Sequence, residues 1–433
     1  MMDTHVLMKP SMYNIFLQKE DGVAIYNTRT GKLVRSFGER AKIVNEIFAS
    51  GGSINYSDIS EKLYKDEFLI DAQRNEVSEM EKLEETATFD RYLRLIILPT
   101  EYCNFRCVYC YEHFKRGKMS KNVQNALIKT VEQEIEKYEG LVVSWFGGEP
   151  LEALDVIETL SLAFIDICKR NKKPYNAGIT TNGYNLSVET MRKLKKLHIT
   201  EFQITLDGLR EIHDAQRILR DGSGTYQKII DNLLNIKSKI KSSTITIVLR
   251  TNFSRELLEH INDFQKVLDD YFSEDSRFCF FWQLVGDYGY VRDESVRDIF
   301  GTMQDYVYLV RNYTDKFTNK FMFHLYGPAG SVCYALKRNS YVISSDGVIK
   351  KCTCDLENEE NFFGQIGKTF DSEKHENWLK REIKENSQCY LCIKRPICHN
   401  KACYKAKSCL ENLNYIEKVI DTISNDEKYY EVI

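Results

Sequence analysis

The chain has 433 residues, with 60 Lys and Arg against 63 Asp and Glu, a formal net charge of -3 and 43% hydrophobic residues. A chain of this length exceeds one compact core and predicts two or three globular domains. The nearly balanced charge gives no long-range field of the kind that nucleic-acid binders and membrane-surface proteins use, so neither is expected as a partner.

The chain contains 13 cysteines, which is many for a cytoplasmic protein, the class that the sequence indicates. The first residues lack the basic and apolar regions of a signal peptide, and no stretch reaches the roughly twenty uncharged apolar residues of a membrane span. The sequence therefore predicts a cytoplasmic protein, in which disulfides are rare. Of the 13 cysteines, three lie at 103–110 and eight at 333–409, and this clustering favours metal ligation.

Residues 1–93 are predicted to form a small α+β module. Paired β-type runs at 13–18 and 22–37 lead into helical patterns at 39–50 and 57–66. The module precedes a longer region with a different pattern, so we place a domain boundary at residue 93.

Residues 94–315 alternate apolar β-type runs with helical periodicity. The β-type runs begin at 94, 141, 175, 201, 244 and 278. Helical patterns follow at 120–135, 152–172, 187–197, 225–239, 255–271 and 294–313. Six such units predict an α/β fold with a parallel sheet and right-handed crossovers, curled into a partial (β/α)6 barrel. Ligands of such barrels bind at the carboxyl ends of the strands. Residues 316–433 form a third, cysteine-rich domain with a helix near 410–424.

Three cysteines directly follow the first strand of the predicted barrel. Cys103, Cys107 and Cys110 stand in EYCNFRCVYCYE. Three thiolates at CxxxCxxC spacing can hold three corners of a [4Fe–4S] cube, which ordinarily takes four cysteines, so one iron stays open. The alternative is a zinc knuckle, which needs a fourth ligand such as His113.

This loop and the strand ends that follow it resemble the radical S-adenosylmethionine (SAM) superfamily, and in particular its SPASM branch of peptide-modifying enzymes. The segments that carry the resemblance are CxxxCxxC at 103–110, SWFGGEPL at 144–151, ITTNGYN at 179–185 and QITLDG at 203–208. The resemblance implies that the open iron binds SAM. Reductive cleavage of SAM would then give a 5′-deoxyadenosyl radical.

The same resemblance implies which residues contact SAM. Tyr109, the aromatic residue before the third cysteine, would lie by the adenine. Gly147 and Gly148 would let the backbone approach the methionine moiety, as only glycine can. Glu149 would receive the ammonium group.

Further candidates stand at later strand ends. Asn182 and Asp207 are the main ribose and substrate-facing candidates, and Thr205 is another ribose candidate. Arg217 and Arg250 could bind the SAM carboxylate. A plain turn is the alternative for Asp207, and a solvated surface role is the alternative for either arginine.

The C-terminal cysteines resemble the SPASM signature, whose two auxiliary [4Fe–4S] clusters would bring the total to three. By this resemblance one cluster binds Cys333, Cys352, Cys354 and Cys403, and the other binds Cys389, Cys392, Cys398 and Cys409. Four residues separate Cys398 from Cys403 where the family usually has three, so the pairing of the ligands is open. A zinc ribbon is the alternative for these cysteines. Cys168 and Cys279 stand alone in apolar segments, as buried core thiols do.

The function predicted from the resemblance is a radical SAM peptide maturase. It would abstract a hydrogen atom from a ribosomally synthesised precursor peptide and form a crosslink, preferably a thioether. The auxiliary clusters would take the released electron or bind the substrate thiolate, and a ferredoxin or flavodoxin would supply the low-potential electron. The N-terminal module resembles leader-peptide recognition elements, although it could equally be a structural cap. No single side chain emerges as an acid or base catalyst.

Two other functions stay open. The related anaerobic sulfatase-maturing enzymes oxidise a cysteine or serine to formylglycine and use an aspartate directly after the DGxxxxC cysteine. Thr353 occupies that position here. The second alternative is a zinc-binding scaffold, which would not cleave SAM. A dehydrogenase is disfavoured because no GxGxxG fingerprint follows the first strand.

Overall fold

The chain forms two compact units in the computed structural model, which describes residues 7–50, 57–88, 90–285, 333–379, 389–398 and 410–433, together with Asp305. The smaller unit contains the described residues up to 88 and those from 389 onward, with Cys333. The larger unit contains residues 90–285 and 334–379, with Asp305.

The smaller unit begins with an antiparallel meander and three helices. Its first strands are β1 (Met8–Pro10), β2 (Asn14–Lys19), β3 (Gly22–Asn27), β4 (Leu33–Phe37) and β5 (Leu69–Asp71). Strands β2, β3 and β4 pair in order, and β1 pairs with β5. The helices are α1 (Gly38–Ala49), α2 (Asp58–Lys65) and α3 (Glu76–Thr88). Apolar side chains of β3, β4, α1 and α2 share one core, which confirms the predicted N-terminal sheet module.

The larger unit contains the predicted parallel sheet. Its consecutive strands are β6 (Tyr92–Ile97), β7 (Gly140–Trp145), β8 (Tyr175–Thr181), β9 (Ile199–Thr205), β10 (Thr246–Phe253) and β11 (Phe278–Leu284). Each strand pairs in parallel with the next one along the chain. This confirms the predicted α/β fold with its parallel sheet.

Helices lie between these strands close to their predicted positions. They are α4 (Lys121–Glu134), α5 (Leu154–Arg170), α6 (Val188–Lys196), α7 (Arg210–Gln216), α8 (Tyr226–Lys239), α9 (Arg255–Glu259) and α10 (Ile261–Phe272). Ser120 and Ser187 cap the amino ends of α4 and α6, because each hydroxyl accepts a backbone N–H of the first turn. The short α7 was not predicted, and the helix predicted at 294–313 lies outside the described residues apart from Asp305.

A C-terminal segment extends the same sheet beyond its first strand. Its elements are β12 (Ser340–Ile343), β13 (Val348–Lys350), β14 (Gly364–Gln365), β15 (Thr369–Phe370) and α11 (Ser372–Leu379). Strand β12 pairs in parallel with β6, and β13 to β15 continue outward in antiparallel order. The loop after β13, which holds two of the C-terminal cysteines, is therefore built onto the edge of the predicted barrel.

The last described residues return to the smaller unit as α12 (Arg395–Cys398), α13 (Leu410–Ile423) and β16 (Glu431–Val432). Strand β16 pairs in parallel with β4. Ile420 of α13 packs on the sheet face that holds Ile15 and Tyr26. Within the described residues, every helix is too short or too polar to cross a lipid bilayer.

A buried ion pair joins α3 to the cysteine-bearing segment 389–398. Arg395 is 2% exposed, and its Nε and Nη2 donate to the two carboxylate oxygens of Glu84 at 2.8 and 3.0 Å. Its Nη1 also donates to the backbone oxygen of Tyr390 at 3.0 Å. Such a bidentate pair fixes the orientation of both side chains.

We predict that Glu84→Ala destabilises the smaller unit by roughly 3 kcal/mol, because it leaves a buried guanidinium unpaired. Thermal or urea unfolding of the purified chain measures this loss. The adjacent Glu85 is exposed, so Glu85→Ala is the matched control and should stay within about 0.5 kcal/mol of the parent. Equal stability of the two variants would contradict the prediction.

Candidate active site

A cavity of about 490 Å³ opens at the carboxyl ends of the parallel strands. The residues that line it are Ile96, Cys103, Phe105, Cys107, Tyr109, Cys110, Tyr111, Glu112, Ser144, Phe146, Gly147, Gly148, Thr180, Thr181, Asn182, Gln203, Thr205, Arg217, Arg250, Asn252, Gln283, Val285, Tyr334, Thr353 and Cys354. The set includes most of the predicted SAM-contacting residues and all three cysteines of the first motif.

The loop that carries the three cysteines is held by backbone pairing with residues 216–220. Arg106 N donates to Ile218 O at 2.8 Å, and Val108 N donates to Gln216 O at 3.0 Å. The loop therefore has fixed backbone partners in the segment that follows α7. All three of its cysteines line the cavity.

The chemistry of these thiols fits an iron–sulfur cluster. Burial raises the pKa of the Cys103 thiol well above its usual range, and the nearby Glu149, Cys107 and Cys110 raise it further. Deprotonation of such a group needs a strong positive charge beside it, as bound iron would provide. Among the described residues, no three His, Cys, Asp or Glu side chains lie close enough together to hold a single metal ion. Three thiols on one short loop are the donor set of a cube that binds each thiol to a different iron.

The glycines of the second strand end pack against the cysteine loop. Gly147 has a φ of +115°, and a Cβ there would lie 2.4 Å from Thr100 O. A Cβ on Gly148 would lie 2.4 Å from Tyr102 O and 2.5 Å from Glu101 O. Glycine is therefore required here for contact between two backbone segments, in addition to the approach to SAM that the sequence predicted.

Glu149 lies fully buried behind the cavity wall. Its Oε1 accepts from Leu151 N at 3.0 Å and Thr181 Oγ1 at 2.7 Å, and its Oε2 accepts from Asn182 N at 2.7 Å. Burial raises the pKa of Glu149 to about 7, while these hydrogen bonds act in the opposite direction. The carboxylate thus ties the second strand end to the third, and its predicted contact with the SAM ammonium group stays a prediction.

Asn182 and Thr205 both face the cavity, each 7% exposed. The Asn182 amide donates to Asn104 Oδ1 at 2.7 Å, which connects the third strand end to the cysteine loop. These placements are compatible with the predicted ribose contacts, which stay predictions.

Tyr109, Asp207, Arg217 and Asn252 form a buried hydrogen-bonded group. The phenol of Tyr109 donates to Asp207 Oδ2 and accepts from Arg217 Nη1 at 2.8 Å and from Asn252 Nδ2 at 3.2 Å. Asp207 is 0% exposed and, unlike the other three, does not line the cavity. Burial raises the pKa of Asp207, and the charge of Arg217 opposes that rise.

Arg250 lies at the end of β10 with its side chain on the cavity wall. Its Nε donates to Asn252 Oδ1 at 2.9 Å, and its guanidinium lies 5.8 Å from the centre of the Phe281 ring. A cation held in this way could meet an anionic group in the cavity, such as the predicted SAM carboxylate.

Comparisons with known proteins agree with this geometry. Residues 97–264 match the model of the radical SAM superfamily. This segment of the chain is therefore a radical SAM domain. The family implies SAM and a [4Fe–4S] cluster as cofactors of this enzyme.

Individual relatives are distant. The Fe-coproporphyrin III synthase of Methanosarcina barkeri is 25% identical over 182 residues, which is 42% of this chain and 42% of that protein. The cysteine-type anaerobic sulfatase-maturating enzyme of Clostridium novyi is 24% identical over 346 residues, covering 71% of this chain and 87% of that enzyme. The solved structure of native anSMEcpe with bound AdoMet has a TM-score of 0.58 and 20% identity, with 77% of this chain and 98% of that one covered.

The radical SAM loop shares its cavity with part of the C-terminal cysteine set. Cys354 lines the cavity, whereas Cys352 is buried at 5% exposure. A hydrogen bond with Cys352 is the main cause that lowers the pKa of Cys354 to about 6, and Tyr111, Thr353 and Arg250 act in the same direction.

The other predicted auxiliary ligands lie in the smaller unit or outside the described residues. Cys333, Cys389 and Cys392 belong to the smaller unit. The side chain of Cys398 and all of Cys403 and Cys409 lie outside the described residues. The assignment of these cysteines to two clusters therefore stays a prediction.

Several polar residues of the cavity were not predicted from the sequence. They are Tyr111, Glu112, Ser144, Thr180, Thr181, Gln203, Asn252, Gln283 and Tyr334. Asn252 had a usable signal, because it stands two residues after Arg250 at the end of a predicted strand. Tyr334 had no such signal, because it lies 56 residues beyond the start of the sixth predicted strand. The pairing of β12 with β6 brings this part of the chain back to the sheet.

We predict that Gly148→Ala reduces iron bound per chain after anaerobic reconstitution, because its methyl group would displace the backbone of the cysteine loop. Gly117 lies in the same loop, and a Cβ there would have no neighbouring atom within 4 Å, so Gly117→Ala is the matched control. Iron content and thermal unfolding should be measured together. Full iron loading of Gly148→Ala would show that the loop tolerates the shift.

Proposed function

We propose that this radical SAM enzyme modifies a ribosomally synthesised precursor peptide, forming a crosslink that is preferably a thioether. The observation that carries the proposal is the shared cavity, in which the three-cysteine loop and Cys354 of the C-terminal region line the same space. When bound, the cluster supplies the electron that cleaves SAM. The protein residues orient the reactants and exclude water.

The comparisons support a polypeptide as the substrate. The Clostridium novyi relative, which aligns over most of both chains, is named for maturating a sulfatase, which is a protein. The anSMEcpe enzyme has also been solved with AdoMet and the Cp18Cys peptide bound, at a TM-score of 0.55 to this chain. We therefore expect a peptide to enter the cavity beside Cys354, and a ferredoxin or flavodoxin to deliver the electron.

Formylglycine formation is the second candidate, favoured by the same Clostridium novyi match. It is opposed by the residue that follows Cys352. Thr353 lines the cavity, and its hydroxyl lies 2.6 Å from the Tyr334 hydroxyl. Neither hydroxyl accepts a proton readily at neutral pH, unlike the aspartate of the sulfatase-maturing family.

The first test is anaerobic reconstitution with iron and sulfide, followed by addition of dithionite and SAM. We expect about twelve irons per chain, as three [4Fe–4S] clusters require, and release of 5′-deoxyadenosine. Cys103→Ala should abolish that release. Cys168 is a buried core thiol, 1% exposed in α5, so Cys168→Ala should keep both iron and cleavage. Bound zinc without SAM cleavage would support the scaffold alternative.

The second test identifies the product by mass spectrometry after co-expression with a short cysteine-containing peptide, for which any short open reading frame beside this gene is the first choice. A thioether lowers the peptide mass by two hydrogen atoms and makes one cysteine resistant to alkylation. Formylglycine formation from cysteine would instead replace the sulfur by oxygen, remove two hydrogen atoms and leave no crosslink. Finding that second product, on a sulfatase-derived peptide, would overturn the crosslinking proposal in favour of the alternative.

A further inference from the structure

The buried group around Tyr109 uses the full hydrogen-bonding capacity of its phenol. A phenol has one proton to donate and two lone pairs that accept. Here the hydroxyl donates a hydrogen bond to Asp207, and its oxygen accepts hydrogen bonds from Arg217 and Asn252. No capacity is left for SAM or substrate, so the hydroxyl has a structural task and only the ring of Tyr109 is available to a ligand.

Asp207 is committed to the same group. Its Oδ2 accepts from the phenol, and its Oδ1 accepts from Asn252 N at 2.8 Å. Its backbone N–H donates to His213 Nδ1 at 3.1 Å. The side chain is 0% exposed and lies behind the cavity wall. A direct ribose contact would require it to leave these partners.

The group connects three separate parts of the barrel to the cysteine loop. Tyr109 immediately precedes Cys110, Asp207 follows β9, and Asn252 belongs to β10. Arg217 follows α7. Since these elements meet at one phenol, the position of the third cysteine depends on residues that are distant in sequence.

Arg217 brings a positive charge to the same place. Its guanidinium lies 5.5 Å from the centre of the Phe105 ring and 3.7 Å from Asp207 Oδ2. Phe105 and Tyr109 both belong to the cysteine loop, so Arg217 contacts that loop at two residues. The carboxylate of Asp207 balances its charge in a buried site, where an unbalanced charge is costly.

We propose that Asp207, with Arg217 and Asn252, acts as a positioning residue that fixes the ring of Tyr109 and the cysteine loop for SAM binding, rather than as a SAM ligand. The proposal rests on the binding of SAM, which the family implies, and not on the peptide substrate. A failure of the crosslinking proposal would therefore leave this one unaffected, and the reverse also holds.

A double-mutant cycle between Tyr109→Phe and Asp207→Asn separates the two roles. If Asp207 works through the phenol, each single variant weakens SAM binding roughly tenfold, the loss of one charged hydrogen bond. The double variant is then no weaker than either single variant. If Asp207 touches SAM itself, Tyr109→Phe is nearly silent, because the ring remains, and the effects add.

The measurements are the SAM dissociation constant of the reconstituted enzyme and the electron paramagnetic resonance spectrum of the reduced cluster with and without SAM. Both single variants should alter the SAM-induced spectral change, which a mere loss of fold stability would leave intact. Tyr175→Phe is the matched control, since this buried tyrosine begins β8 at the opposite end of the strands. It should bind SAM as the parent does.

A second double-mutant cycle, between Tyr109→Phe and Asn252→Ala, tests the proposal if Asp207→Asn does not fold. Asn252→Ala removes another donor to the same phenol oxygen, and its effect should likewise not add to that of Tyr109→Phe. Additive losses, or parental SAM binding by Tyr109→Phe, would overturn the proposal.

Discussion

The site depends on the close contact between the backbone of the cysteine loop and the end of the second parallel strand. Gly147 and Gly148 lie directly against the carbonyl oxygens of residues 100–102, where no larger residue fits. The backbone N–H of Glu149 then donates to Tyr102 O at 2.9 Å. A loop without regular secondary structure thereby gains a rigid support, which a cluster ligand set needs if its thiols are to stay in place.

The same loop is anchored from its other side by polar contacts. Residues 216–220 pair with its backbone, and the phenol of Tyr109 binds to Asp207, which follows β9, and to Asn252 of β10. Buried polar groups of this kind are costly unless every partner is present. The loop is consequently fixed by the parallel sheet and the segments that connect its strands, and its arrangement depends on the tertiary fold more than on its own sequence.

Because the loop depends on the tertiary fold, the sequence could predict its strands and cysteines but not the contacts that hold it. The six strands were predictable because parallel strands buried on both faces appear as apolar runs, and the cysteine loop was found from its spacing. The contact of Asp207 with Tyr109 was not predictable, since a carboxylate at a strand end gives the same sequence signal whether it faces a ligand or a buried phenol. The short α7 and the four-residue β12 have too few residues for a periodic signal, and β12 takes its position from a partner that lies more than 200 residues away in the sequence.

The pairing of β12 with β6 brings the C-terminal cysteine-bearing segment close to the cysteine loop. Strand β6 leads directly into the cysteine loop, and β12 runs beside it in the same direction, with Ile343 opposite Ile97. Parallel neighbours end at the same edge of a sheet, so the turn that follows β12 lies at the edge from which the cysteine loop begins. Strand β13 then runs antiparallel to β12, and Cys354, which follows β13, lines the same cavity as the three thiols. A substrate bound there would contact groups from both cysteine-bearing segments at once, because one sheet positions them both.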